Sequence, residues 1–232
     1  MTCLYINVKF SKLSKSTTFF NEAQNKFWAH HGFSKKGAPY AFKNVEMAFD
    51  RGIRGVELDL FYDETLCSFL VVHDMNEQDT LILDQLLSGL TTKGQFWFDL
   101  KNLKKGNSSQ IIESLIKIEH KHELRNKFVV ESKNASELNV LSQLGFFTCL
   151  WISTSQNENL IVEFYRNLKN KINLLNNTYS AISMPYYYYQ REGKTLYGNF
   201  PIHCWVSPEE YEREKEVIIA DDKLKIVLFD RP

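Results

Sequence analysis

The chain has 232 residues, 44% of them hydrophobic, enough for one large core that needs no disulfide or metal staples. Lys and Arg total 28, as do Asp and Glu, so the formal charge is zero and the bulk signature of a nucleic-acid or anionic-membrane binder is missing. No apolar run approaches the roughly 20 residues that span a bilayer, and Met1 to Ser16 lack the apolar stretch of a secretory signal.

In chain order, short apolar runs predict strands over Phe27–His31, Gly55–Leu60, Phe96–Lys101, Lys127–Ser132, Phe146–Ile152, Ala181–Met184, Ile202–Val206 and Ile226–Asp230. Helical spacing fills most of the intervals. Ala41–Arg51 carries Phe42, Val45, Met47, Ala48 and Phe49. Ser109–His122 carries Ile111, Ile112, Leu115, Ile116 and Ile118. Asn134 and Glu137 predict a capped helix through Leu138, Leu141 and Leu144 that Gly145 ends. Asn157–Lys171 reads as a helix, as does Pro208–Ile219 with Ser207 at its cap. Phe69–His73 predicts a hairpin attached to the second strand, and Tyr186–Phe200 reads as an aromatic loop in place of a helix. Strands alternating with helices predict a single α/β domain over 1–232, an eight-stranded parallel (β/α)8 TIM barrel, with an open doubly wound sheet as the alternative. Residues 1–26 read as an extension that covers the barrel, with Thr18–Lys26 over either the gap where no eighth helix follows the last strand or the barrel bottom.

Ionisable residues inside apolar strands cost free energy unless they are paired or hold a metal. Glu57 and Asp59 share one face of their strand, and Asp99 and Lys101 one face of theirs. Three converging carboxylates make an oxygen-rich site for a hard divalent cation, Mg²⁺ or Ca²⁺. In such a barrel, chemistry sits at the C-terminal ends of the strands. His30 and His31, Glu57 and Asp59, His73, Asp99 and Lys101, Trp205 and Asp230 all fall there. Carboxylates, histidines and a lysine together point to phosphoester chemistry. His120 and His122 read as solvated surface, and His203 faces either the barrel wall or its interior. Cys3, Cys67, Cys149 and Cys204 lack metal-type spacing and read as free thiols of a reducing, cytoplasmic setting, with Cys149 and Cys204 in the core. Tyr186–Tyr189 with Trp205 suggest an apolar wall over the rim.

The succession Ala29-His30-His31-Gly32, Pro39, Asp50-Arg51-Gly52, Val56-Glu57-Leu58-Asp59 and Val72-His73-Asp74 resembles the glycerophosphodiester phosphodiesterase family. Phe98-Asp99-Leu100-Lys101, Trp205 and the ending Phe229-Asp230-Arg231-Pro232 are similar to later motifs of that family. The resemblance implies a barrel of the phosphatidylinositol-phospholipase-C-like type and metal-dependent cleavage of a glycerophosphodiester or related lipid-derived phosphodiester. It implies Glu57, Asp59 and Asp99 as metal ligands and His30 and His73 as the acid/base pair. Lys101 would hold a phosphate oxygen, and His31 and Trp205 would line the substrate site.

The chain departs from the family pattern in several places. His31 stands where an arginine is usual, Tyr40 and Ala41 replace an acid and an amide, and Asp99 is one methylene shorter than the usual Glu. The segment between His73 and Asp99 lacks the usual insertion. The Glu-x-Asp, Asp-x-Lys and two-histidine pattern is also similar to sphingomyelinase-D-like phosphodiesterases, and the departures leave open a barrel that binds phosphate ligands without turnover.

Overall fold

The computed structural model describes residues 3–11, 26–33, 42–73, 81–92, 94–154 and 159–230. Its centre is a ring of parallel strands: β1 (Phe27–Ala29), β2 (Gly55–Asp63), β5 (Gln95–Leu100), β6 (Phe128–Ser132), β7 (Thr148–Trp151), β8 (Ala181–Pro185), β9 (Ile202–Val206) and β10 (Leu224–Phe229). β1 pairs with both β10 and β2, which closes the ring into the eight-stranded barrel expected from the alternation of elements. β3 (Ser68–Val71) runs antiparallel to the end of β2, as the hairpin reading requires, and β4 (Leu81–Ile82) extends it by one more short strand.

Helices α2 (Phe42–Asp50), α3 (Leu83–Gly89), α4 (Ser108–Lys121), α5 (Ala135–Gln143), α6 (Leu160–Asn176) and α9 (Pro208–Ala220) lie between the strands in sequence. Each amphipathic helix buries one stripe against the barrel: Val45, Ala48 and Phe49 from α2, Ile111, Leu115 and Ile118 from α4. Asn134 accepts from the Glu137 amide at the start of α5, and Gly145 after that helix takes φ of 89°. Ser207 and Glu210 form a reciprocal capping box with Pro208 in the first turn of α9. No described helix is long and apolar enough to cross a membrane.

The N-terminal extension is only partly described. α1 (Cys3–Ser11) packs beside α6, with Phe10 stacked on Phe200 and edge-on to Tyr197. Of the segment Thr18–Lys26 expected to cover the barrel, residues 18–25 lie outside the described residues. Lys26 is buried, and its Nζ donates to the carbonyls of Ile218, Ile219 and Asp221 at 2.9–3.0 Å, adding to the backbone bonds that satisfy the C-terminal end of α9.

Three readings need correction. Tyr186–Phe200 is not a loop: α7 (Tyr186–Tyr188), a π turn over Tyr189–Gly193 and α8 (Lys194–Tyr197) follow one another. Tyr186, Tyr188, Tyr189 and Tyr197 are buried in the core, so the proposed tyrosine wall over the rim is reduced to half-buried Tyr187, whose hydroxyl lies 3.5 Å from Thr154 Oγ1. Burial on several sides erases the one-sided helical stripe, which is why the segment reads as irregular. His122 is not solvated surface either: it is buried, with Nε2 2.8 Å from Asp84 Oδ1.

Two apolar cores result. The larger fills the layer between strands and helices. The smaller fills the barrel interior with Trp28, Trp97, Val129, Cys149, Ala181, Ile226 and Leu228, so inward positions alternate along every strand. Gly55 is part of this arrangement, since a Cβ there would fall 2.2 Å from the Trp28 ring.

Candidate active site

The same alternation carries polar residues to the C-terminal mouth. Two residues beyond Trp28 comes His30; Glu57 and Asp59 follow Gly55; Asp99 and Lys101 follow Trp97; Asp230 follows Leu228. Parallel register then sets Asp59 beside Asp99, and Asp99 beside Glu131 of β6. One oxygen each of Glu57, Asp59 and Asp99 lies within 4.8 Å of the others, and all three residues are buried. Three buried hard oxygen donors fit a divalent cation such as Mg²⁺ or Ca²⁺. Lys101 is ion-paired with both Asp59 and Asp99, so a positive charge already stands at the carboxylates.

β1 ends in a tight turn through His30–Phe33, in which His31 (φ 47°, ψ 32°) and Gly32 (φ 56°, ψ 28°) are left-handed. Glycine tolerates that conformation freely, whereas His31 adopts it at a cost that its contacts must offset. Its backbone N–H donates to Glu57 Oε2 at 2.8 Å, and its Nδ1 lies 2.7 Å from Asp59 Oδ2 and 3.4 Å from Glu57 Oε2. The turn also stacks the His30 and His31 rings at 3.7 Å and sets His73 edge-on to His31 at 5.1 Å. His30 Nδ1 is 2.9 Å from Asp230 Oδ1, and its Nε2 is 4.0 Å from Glu57 Oε2.

Charge in the cluster is unequally shared. Burial works against a charged His31, but Glu57 and Asp59 outweigh it and raise its pKa to about 9. Burial alone would raise Asp59; the His31 bond and the Lys101 charge instead hold it below the usual carboxylate range. Glu57 and Asp99 are pushed up, first by burial and also by Asp59. Lys101 is raised despite burial, chiefly by Asp99 and then Asp59.

The sequence-predicted residues Glu57, Asp59, Asp99, Lys101, His30, His31 and His73 are therefore brought together. Trp205 lies further along the rim, half-buried and edge-on to Trp151 at 5.2 Å. Asp74, Pro39, Tyr40 and Ala41 lie outside the described residues. The sequence reading missed three features. Asp230 stands at a strand end in that reading but without the His30 contact. Glu131 joins Glu57, Asp59 and Asp99 as a buried carboxyl inside the barrel, with Oε2 accepting from Trp97 Nε1 at 3.1 Å and Oε1 bonded to Ser183. Lys133 places its ammonium 3.6 Å from the Trp151 ring centre. Extending the inward alternation one step along β6 and β7 is the signal that would have found Glu131, Lys133 and Trp151.

Neither a family model nor a curated protein matches the sequence. Solved structures do match the fold. A glycerophosphodiester phosphodiesterase from Parabacteroides distasonis superposes with a TM-score of 0.66 at 14% identity, covering 88% of this chain and 92% of that one. A phosphodiesterase from Oleispira antarctica, solved with its product sn-glycerol-3-phosphate, gives 0.64 at 12% identity over 97% and 96%. A glycerophosphodiester phosphodiesterase from Agrobacterium tumefaciens gives 0.62 at 15% identity over 90% and 98%. The chain thus has the TIM-barrel fold of glycerophosphodiester phosphodiesterases.

Proposed function

We propose that the protein is a metal-dependent phosphodiesterase that cleaves a glycerophosphodiester or a related lipid-derived phosphodiester. The observation that carries this reading is the convergence of Glu57, Asp59 and Asp99 on one point, with Lys101 against them and three imidazoles along one side. Likeness in fold to glycerophosphodiester phosphodiesterases supports it.

Glu57, Asp59 and Asp99 would hold Mg²⁺ or Ca²⁺, which when bound supplies Lewis-acid charge at a phosphate oxygen. Lys101 neutralises charge that builds on the other phosphate oxygens in the transition state. His30 acts as the base. With its Nδ1 proton shared with Asp230, its Nε2 keeps a lone pair toward the mouth. It takes the proton of the attacking hydroxyl, from water or from the substrate's own neighbouring alcohol, as that oxygen bonds to phosphorus. The bond from phosphorus to the departing oxygen breaks, and His73 gives that alkoxide its proton. His31, turned toward Glu57 and Asp59, balances their charge and closes the substrate site beside Lys101, while Trp205 lines its far rim.

The test is hydrolysis of a panel of glycerophosphodiesters by the purified chain, with divalent metal and then with excess chelator. Turnover that chelator abolishes and metal restores is expected. Chelator-resistant turnover would remove the cation from the site, and metal binding without turnover of any diester would leave a phosphate-binding barrel.

A further inference from the structure

Across the mouth from His30 the character of the rim changes. β6 lies four strands from β10 around the eight-strand ring, so Lys133, just beyond β6, stands opposite Asp230. Its ammonium rests on the face of Trp151, and Trp151 and Trp205 meet in a T-shaped contact. Lys101 approaches the same Trp151 ring at 6.0 Å but is committed to Asp59 and Asp99. Lys133 is exposed, and among the described residues it forms no ion pair.

An aromatic pair at a rim is ordinarily suited to a ligand cation such as choline. Here Lys133 already covers the Trp151 face, and a second cation would meet like charge. An anion meeting Lys133 would instead find an ammonium held in place by the ring and, among the described residues, not bonded to a carboxylate. A diester bound at the carboxylate cluster with its departing arm at His73 would leave its other arm to extend along the rim toward Lys133.

We propose that Lys133, held against Trp151, is a specificity-determining residue that favours diesters whose second arm carries its own anionic group, a carboxylate or a phosphate monoester, and disfavours arms ending in an ammonium. Such selection rests on the proposed reading only in taking the Glu57, Asp59, Asp99 and Lys101 cluster as the place where the diester phosphate binds.

Three probes share one glycerophosphate half and differ in the charge of the other arm: glycerophosphoinositol 4-phosphate, glycerophosphoglycerol and glycerophosphocholine. In the full chain kcat/KM is expected to fall in that order. Lys133→Met should cut the preference for the anionic over the neutral arm by about tenfold, the scale of one charge-assisted contact. Lys133→Glu should reverse the order toward choline, a result that damage to the fold would not produce, and Lys133→Arg should restore it. Equal loss on all three arms would overturn the proposal. The same series titrated by tryptophan fluorescence needs no turnover. Affinities unrelated to arm charge overturn the selection, whereas the charge order of binding with no turnover of any probe keeps the selection and overturns the diester-cleaving reading.

Discussion

Asp59 and Glu131 are two carboxyls in one barrel, each almost wholly buried, on the strands either side of Asp99. Burial pushes both upward, yet Asp59 ends below the usual range and Glu131 well above it. The difference is the partner. Asp59 faces His31 and Lys101; Glu131 faces the Trp97 indole, the Ser183 hydroxyl and the charge of Asp99. Histidine repeats the contrast. His31, among carboxylates, is raised to about 9, whereas His203, inside the barrel beside Trp97 with burial as its cause of shift, is lowered to about 3. At the mouth, opposite charges outweigh burial for His31, Asp59 and Lys101, whereas in the layer around Trp97 burial prevails at Glu131 and His203.

The largest effects should come from breaking the upper layer. His30→Ala and His73→Ala are each expected to lower kcat by about 10²-fold or more, the usual worth of a general acid or base. Activity that survives the double substitution would remove both from catalysis. Glu131 in the lower layer should answer in stability. Glu131→Ala opens a cavity and leaves the Trp97 N–H without its acceptor, a cost of about 2–4 kcal/mol in denaturant unfolding. Glu131→Gln keeps the shape and both contacts and should cost under about 1 kcal/mol, because a neutral acid and an amide are close substitutes. Equal costs for the two variants would show that the carboxyl is ionised.

Much of this division was legible in the sequence. Glu57, Asp59, Asp99 and Lys101 interrupt apolar runs at two-residue spacing, and a parallel strand fixes their face once its direction is known. The barrel itself followed from the alternation of strand and helix. The lower layer was not legible, because Glu131 sits at the end of Phe128–Ser132, where a polar residue marks the close of any strand. Lys133 and Trp151 look like ordinary strand-end residues until the ring closes and sets β6 beside β7. The pairing of His30 with Asp230 joins the first strand to the last, and no local pattern reports a contact of that span. The tyrosines of α7 were misplaced for the opposite reason, since their density suggested a surface platform while their bulk fills the core.

The two histidines make the contrast measurable as a function of pH in the metal-free protein. His31 is raised, so its contribution is fully present below pH 6.5 and is lost as pH rises toward 9. His203 is lowered, so stability on its account is full above pH 6.5 and falls as pH drops toward 3. Each limb should have a slope of at most about 1.4 kcal/mol per pH unit. His31→Gln should flatten the alkaline limb and His203→Gln the acid one, read from unfolding midpoints at stepped pH. An acid limb that persists in His203→Gln would place its origin in another group.

The smallest effect is also the most discriminating for the lower layer. Ser183 lies on β8 and reaches across the interior to Glu131 Oε1. If Glu131 is the neutral acid that its surroundings favour, Ser183→Ala removes one hydrogen bond between uncharged groups, at about 1 kcal/mol. If Glu131 were ionised, the same substitution would strip a buried charge of a partner and cost about 3–5 kcal/mol. Urea unfolding of Ser183→Ala beside Glu131→Gln and the double variant separates the cases. In the double variant an amide replaces the carboxyl, so a large coupling energy with Ser183 would survive only for a charged Glu131, and a coupling near zero leaves the interior of the barrel uncharged beneath the charged mouth.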